Sequence, residues 1–181
     1  QIDGLNALWQ YFANGNTGNP LLCWPTGTGK SIAQAIFIRE TLRLWPHQIF
    51  MLLTHVSELI KQNSKILKNV WAEAPLGIHS AGLKQRDVAH PIIYARIQSA
   101  VRKGAPLLGH RDIIFIDEAH LISNDDSSMY LTFLAMMKLI NPALKVIGMT
   151  ATPYRMGSGM LTDKGSVFTD ICHDLTGIEN F

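Results

Sequence analysis

A glycine-rich turn set between an apolar run and a helical pattern constrains this chain most. Leu21 to Trp24 is apolar, Trp24-Pro25-Thr26-Gly27-Thr28-Gly29-Lys30-Ser31 follows, and Ser31 to Leu44 has the pattern of a helix that Pro46 ends. A strand that enters a helix through such a turn belongs to sheets built from alternating strands and helices. Gly27 and Gly29 let the backbone take positive φ and turn its N–H groups toward one point, where the first helical turn adds its positive dipole end. Lys30 supplies a point charge there, and the Ser31 hydroxyl can ligate a divalent cation. The arrangement suits the β- and γ-phosphates of ATP accompanied by Mg²⁺. The usual G-x-x-x-x-G-K-[ST] pattern is incomplete, because Trp24 stands where its first glycine would fall. The shorter P-x-G-x-G-K-[ST] pattern, beginning at Pro25, is met.

The same alternation runs through the rest of the chain. Asp3 to Ala13 is predicted to be helical, with Asn14-Gly15-Asn16 as its stop. Gln48 to Thr54 is a predicted strand, and Val56 to Trp71 a helix with Lys61, Lys65 and Lys68 recurring on one face. Ile92 to Ala95, Ile113 to Asp117 and Val146 to Thr150 are further strands, and Ser127 to Ile140 is a helix introduced by Asn124-Asp125-Asp126. The expected class is α/β, a mostly parallel sheet with helices on both faces. With 181 residues, 47% hydrophobic and 17% charged, the chain is long and apolar enough for one domain and excludes a disordered polyelectrolyte. Its apolar runs fall short of the roughly 20 residues of a membrane span, and Gln1 to Phe12 lacks the basic start of a signal peptide. Cys23 and Cys172 form neither a disulfide framework nor a metal-ligand pattern. A soluble, cytoplasmic chain is expected, and its start at Gln rather than Met is that of a trimmed or partial sequence.

Two more strand ends carry chemistry. Ile113-Ile114-Phe115-Ile116 runs into Asp117-Glu118-Ala119-His120, so carboxylates appear where a buried strand emerges, the edge at which open α/β sheets bind ligands. Asp117 is placed to hold Mg²⁺ and Glu118 to orient and deprotonate the attacking water. Alone, the pair would also serve as a helix cap. The third strand end is Met149-Thr150-Ala151-Thr152-Pro153-Tyr154-Arg155, whose hydroxyls can bond the carboxylate or histidine of a neighbouring strand end.

Taken together, these residues resemble superfamily 2 helicases and translocases of the DEAD/DEAH-box type. Pro25 to Ser31 resembles motif I, Asp117-Glu118-Ala119-His120 motif II, and Thr150-Ala151-Thr152-Pro153 motif III. Thr54 to Asn63 resembles motif Ia, and Arg96-Ile97-Gln98-Ser99 lies where such proteins carry another nucleic-acid-contacting motif. Ala81-Gly82-Leu83-Lys84, Ile97-Gln98-Ser99-Ala100 and Gly148 to Gly157 are more narrowly similar to bacterial RadD-type DNA-repair ATPases, relatives of restriction-enzyme motor subunits.

The resemblance implies a RecA-like P-loop domain over residues 1–181, with the motif III strand between those of motifs I and II. It implies Thr150 and Thr152 beside His120, with Lys30, Asp117 and Glu118 as catalytic partners. Pro25, Thr26, Gly27, Thr28, Gly29, Lys30 and Ser31 would hold ATP, Ser31 and Asp117 the Mg²⁺, and Gln1 the adenine. His55, Lys61, Gln62, Arg96, Gln98 and Ser99 would contact DNA, with RNA left open. Such motors use a second, C-terminal RecA-like domain that supplies an arginine finger, and they have repair-protein partners. Only the first set of motifs is present in these 181 residues.

The charge distribution agrees with a polyanionic partner. Residues 55–111 carry nine basic and three acidic side chains, whereas residues 112–181 carry four and nine, so a net charge of +2 hides a basic middle. Against this, lysines on an amphipathic helix are commonly its solvated face. Two other readings remain open at the sequence level: a nucleotide-switched binding module that does not unwind, and a restriction-type translocase subunit.

Overall fold

The computed structural model describes residues 2–122, 124–155 and 159–177. In chain order the first half contains α1 (Ile2–Ala13), β1 (Pro20–Cys23), α2 (Lys30–Leu44), β2 (Phe50–Thr54), α3 (Ser57–Val70), β3 (Leu76–Ser80) and β4 (Gln85–Arg86). The second contains β5 (Ile92–Arg96), α4 (Ile97–Lys103), α5 (Ala105–Leu108), β6 (Ile113–Ile116), α6 (Asn124–Ile140), β7 (Lys145–Thr150), β8 (Tyr154–Arg155), β9 (Gly159–Met160) and β10 (Asp170–Asp174). Eight of the strands form one sheet in the order β10-β1-β7-β6-β2-β5-β3-β4, parallel except for the antiparallel β3–β4 pair at one edge. β8 and β9 form a separate short hairpin.

Period-two alternation assigns each strand residue to one of two cores. Leu22, Phe50, Leu52, Tyr94, Phe115 and Ile147 pack with α1, α2 and α3, while Leu21, Met51, Leu53, Ile93, Ile114 and Val146 pack with α4, α5 and α6. Helices therefore cover both faces, as the alternating pattern requires. On the first face Trp9 stacks on Phe37 at 4.7 Å and Phe37 meets Phe115 edge-on at 5.5 Å, pairs worth about 0.5–1.5 kcal/mol each beyond burial. The order places β7 between β1 and β6, so the strand ends of motifs I, III and II lie side by side.

The structure contains strands and helices that residue patterning does not reveal. β3 includes Gly77, where a Cβ would come within 3.0 Å of the Asp87 carbonyl oxygen, so close passage of the following loop takes priority over strand propensity. β10 is a half-buried edge strand rich in polar residues. α6 starts at Asn124, so the Asn-Asp-Asp run expected as its cap is its first turn.

Gly148 is required for packing at the centre of the sheet. A Cβ there would lie 2.3 Å from Phe168 and 2.6 Å from Leu21. Gly148→Ala is expected to destabilise the fold by about 1–3 kcal/mol, read as a lower urea midpoint at unchanged m-value.

Candidate functional site

The loop after β1 takes the conformation its glycines allow. Gly27 and Gly29 have φ of 84° and 85°, and Thr28 Oγ1 donates to the Pro25 carbonyl at 2.7 Å, closing the turn on itself. α2 starts at Lys30. Lys30 is buried, with Nζ donating to the Trp24 carbonyl at 3.1 Å and lying 3.9 Å from Glu118 Oε1. Thr26 and Gly27 are exposed and Ser31 is half-buried next to the buried Lys30, while the Thr28 amide donates to the Pro25 carbonyl at 3.3 Å. Trp24 is a core residue: it is fully buried, and its Nε1 donates to His173 Nδ1 at 3.0 Å. That explains why no glycine stands at this position.

Asp117 leaves β6 into a buried pocket, where Asn63 Nδ2 donates to Oδ2 at 2.6 Å and the Glu118 amide donates to Oδ1 at 2.9 Å. Burial pushes its proton affinity above the usual carboxylate range, with Glu118 adding to the effect and Asn63, the Glu118 amide and Lys30 opposing it. Asn63 is a partner of Asp117 that the sequence reading places only within the motif Ia-like stretch. Its signal is a polar residue recurring toward the buried face of α3, and only the packing of α3 on the sheet brings it to Asp117.

Glu118 adopts φ 47°, a left-handed conformation that costs a non-glycine residue on the order of 1 kcal/mol. Its carboxylate lies between Lys30 and His120, with Oε2 at 3.3 Å from His120 Nδ1. His120 Nδ1 is also 3.0 Å from Thr150 Oγ1. Thr150 has one hydroxyl proton, and it goes to the Thr152 carbonyl at 2.9 Å, so Oγ1 accepts from His120 and the imidazole carries its proton on Nδ1. The Thr152 amide donates back to Thr150 Oγ1 at 3.2 Å. Thr152 thus enters this chain of contacts through its backbone.

A second set of strand ends converges beside the first. Arg96 Nε donates to the His55 carbonyl at 3.1 Å, Ser57 and Ser80 hydroxyls lie 3.3 Å apart, and a Cβ on Gly82 would sit 2.7 Å from Ser57 Oγ. The turns after β2, β5 and β3 are thereby locked together. Lys61 and Gln62 are exposed on α3, and Gln98 is half-buried in the first turn of α4. Ser99 is buried and its hydroxyl accepts the Ala81 amide at 3.1 Å, so its place is inside this junction. The His55 ring lies 5.2 Å from that of Tyr130, and burial lowers its pKa, so it presents a neutral imidazole. Lys68 is taken by the Ala72 and Ala74 carbonyls at the end of α3 and leaves the lysine face to Lys61 and Lys65. Gln1 and the Arg155 side chain lie outside the described residues.

A family model described as "Type III restriction enzyme, res subunit" matches residues 1–155. The chain belongs to that family. Comparison with curated proteins returns no match. Among solved structures, the UvsW helicase of bacteriophage T4 is similar at TM-score 0.65 and 18% identity over 87% of this chain and 55% of that one. The Type ISP restriction-modification enzyme LlaGI, solved with a DNA substrate mimic, is similar at TM-score 0.65 and 14% identity over 94% of this chain and 19% of that one. The Hef helicase domain of Pyrococcus furiosus is similar at TM-score 0.58 and 19% identity, over 75% and 30%. The res-family chain therefore has the fold of the first RecA-like domain of superfamily 2 helicases, and it spans about half of UvsW or less of the others. The family match does not separate RadD-type members from the rest. No described helix is long and apolar enough to cross a membrane.

Asn63→Leu tests the buried pair. The variant removes one donor from a buried carboxylate and is expected to lose about 1–3 kcal/mol of stability. Asp117 then binds protons still more tightly. The deficit is therefore smallest when Asp117 is protonated in both proteins and grows as pH rises through its raised values, above the ordinary carboxylate pKa of about 4. Urea unfolding at a series of pH values checks both the size and the trend.

Proposed function

We propose that this chain is the ATP-binding half of a DNA-dependent ATPase motor, a helicase or translocase that acts in DNA repair or processing. The observation that carries the reading is the run of close approaches at three adjacent strand ends: Lys30 near Glu118, Glu118 near His120, His120 hydrogen-bonded to Thr150, and Asp117 buried beside them. Phosphate would lie on the amides from Thr26 to Ser31, at the start of a long helix and over the Lys30 ammonium. Hard oxygen donors fit the cation: Ser31 Oγ and the Asp117 carboxylate are the ligands Mg²⁺ takes alongside phosphates and water. When bound, Mg²⁺ would neutralise charge that develops on the phosphate oxygens.

Glu118 would accept a proton from water as its oxygen bonds the γ-phosphorus and the bond from that phosphorus to the bridging oxygen breaks, leaving ADP. The strained backbone of Glu118 holds its carboxylate between Lys30 and His120, so it stands ready without rearrangement. His120, Thr150 and the Thr152 backbone would carry a change at Glu118 into the segment that leads to β8.

DNA would cross the locked turns at the ends of β2, β5 and β3, with Lys61, Gln62, Arg96 and Gln98 nearest to it. Two similar structures, LlaGI with a DNA substrate mimic and a Sulfolobus solfataricus SWI2/SNF2 ATPase core with double-stranded DNA, support DNA over RNA. Of the described arginine side chains, Arg39, Arg43, Arg96 and Arg111 are held by contacts within the domain, and Arg86 and Arg102 line a cavity at the far edge of the sheet. The finger arginine is therefore assigned to a second RecA-like domain, whose loss costs such enzymes roughly 10³ to 10⁵ in rate. The family description also supports a restriction-type translocase subunit, the same motor in another assembly.

Two variants test the proposal by fluorescent-ATP titration and phosphate release. Lys30→Ala is expected to weaken Mg²⁺-dependent ATP binding about tenfold or more. Glu118→Gln is expected to keep binding while hydrolysis by the two-domain protein falls about 100-fold or more. Undiminished hydrolysis in Glu118→Gln, or unchanged ATP binding in Lys30→Ala, would overturn the assignment. Rapid, DNA-stimulated hydrolysis by residues 1–181 alone would remove the need for a second domain.

A further inference from the structure

Three cationic side chains at the β4 edge have no role in the proposed hydrolysis and no carboxylate partner among the described residues. Arg86, on β4, and Arg102 and Lys103, in the last turn of α4, line a cavity of about 270 Å³ together with His79, Ala81 and Ser99. Among the described residues, the ion pairs involve other side chains. A helix dipole favours cations in the last turn of α4, but it does not explain Arg86, which arrives from a different strand to complete the same cavity.

The inner wall is fixed before any ligand arrives. His79 is buried, and because its Nε2 lies 3.0 Å from the Ser99 carbonyl, which can only accept, Nε2 carries the proton and the ring cannot turn freely. Its Nδ1 has no hydrogen-bond partner among the described residues. The Ser99 hydroxyl accepts the Ala81 amide, so both turns that frame the cavity are tied to each other. A rigid wall with a rim of guanidinium and ammonium groups suits a phosphate, whose oxygens match the arginine fork. At about 270 Å³ the cavity falls below the roughly 300–1,000 Å³ that encloses a drug-sized ligand. A single phosphate group with its immediate substituents fits better than a whole nucleotide.

Location selects the source of that phosphate. Ala81 and Ser99 belong to the two turns, after β3 and at the start of α4, over which DNA is proposed to pass. Arg86 also borders a larger cleft of about 650 Å³ that contains Lys65 on α3. A strand leaving the proposed contact surface would meet this cationic rim next. We infer that the pocket formed by His79, Arg86, Arg102 and Lys103 binds a backbone phosphate of the nucleic acid, outside the contacts assigned to motif Ia and to Arg96 and Gln98. The inference rests on the DNA-motor reading.

Binding of fluorescein-labelled oligo(dT) across a salt series, read by anisotropy, tests it. The Arg102→Ala/Lys103→Ala double variant is expected to bind about tenfold more weakly at low salt. Its log K against log salt slope should be shallower by about 0.7–1.4, one or two phosphate contacts on a single strand. Lys138→Ala/Lys145→Ala removes the same charge from the opposite end of the sheet and should leave the slope as it is. In a second measurement, inorganic phosphate at constant ionic strength should shift the His79 ring resonances saturably in the wild-type chain and not in the Arg102/Lys103 variant. An unchanged slope in that variant, or an equal loss in both double variants, overturns the pocket while wild-type DNA binding still supports the motor reading. A saturable phosphate response with unaltered DNA binding overturns the nucleic-acid assignment in favour of a free-phosphate site. Wild-type protein that binds no DNA at any salt fails the motor reading itself, and the inference with it.

Discussion

Burial of the central strands on both faces confines polar chemistry to their ends. In β6 all four residues are buried, and the first carboxylate follows at Asp117. A charge one or two positions earlier would lie inside a core that leaves an unpaired ion with a penalty of several kcal/mol. Parallel pairing then brings the carboxyl ends of the central strands to the same edge, so residues more than 100 positions apart, such as Cys23 and Thr150, become neighbours through β1 and β7. The site is a consequence of the sheet rather than an addition to it.

Much of this was legible because the decisive signals are local. The Gly-x-Gly-Lys-Ser turn, the apolar run before Asp117 and the Thr-Ala-Thr-Pro exit each lie within eight residues, and the structure sets them at adjacent strand ends. What escaped depends on rotation and distance. Asn63 lies at helical spacing between the buried Ile60 and Leu67, which turns it toward the sheet, but only the packed sheet brings Asp117 to meet it. Lys65 and Lys68 look equivalent on a helical wheel, yet Lys68 meets the turn after its helix and is held by carbonyls there. Ser99 is expected from its motif to contact DNA, whereas the adjoining turn buries it. The edge strands β4 and β10 carry little apolar alternation, because an edge needs less burial than the centre.

The Thr150 hydroxyl shows how a small group can impose direction on a site. It has one proton to give, to the Thr152 carbonyl, and therefore must accept from His120. That single choice sets the imidazole tautomer and orients the ring whose Nδ1 lies 3.3 Å from the Glu118 carboxylate. A serine at this position would keep the chemistry but lose the β-branch that limits its rotamers.

The burial of Trp24 has a further consequence for how sequences of this kind can change. Its indole occupies the space where Gly4 of α1 would carry a side chain, with a Cβ there only 2.1 Å from the ring. The amino-terminal helix and the phosphate loop are thus cut to one another's shape, although the motif itself begins only at Pro25. Enlarging residue 4 demands a smaller residue at 24, and a glycine at 24, the commoner choice in such loops, would leave a void that only a larger residue 4 could fill. Descent with substitution should therefore move these two positions as a pair, and a graft of the loop alone onto a relative would carry the wrong helix with it.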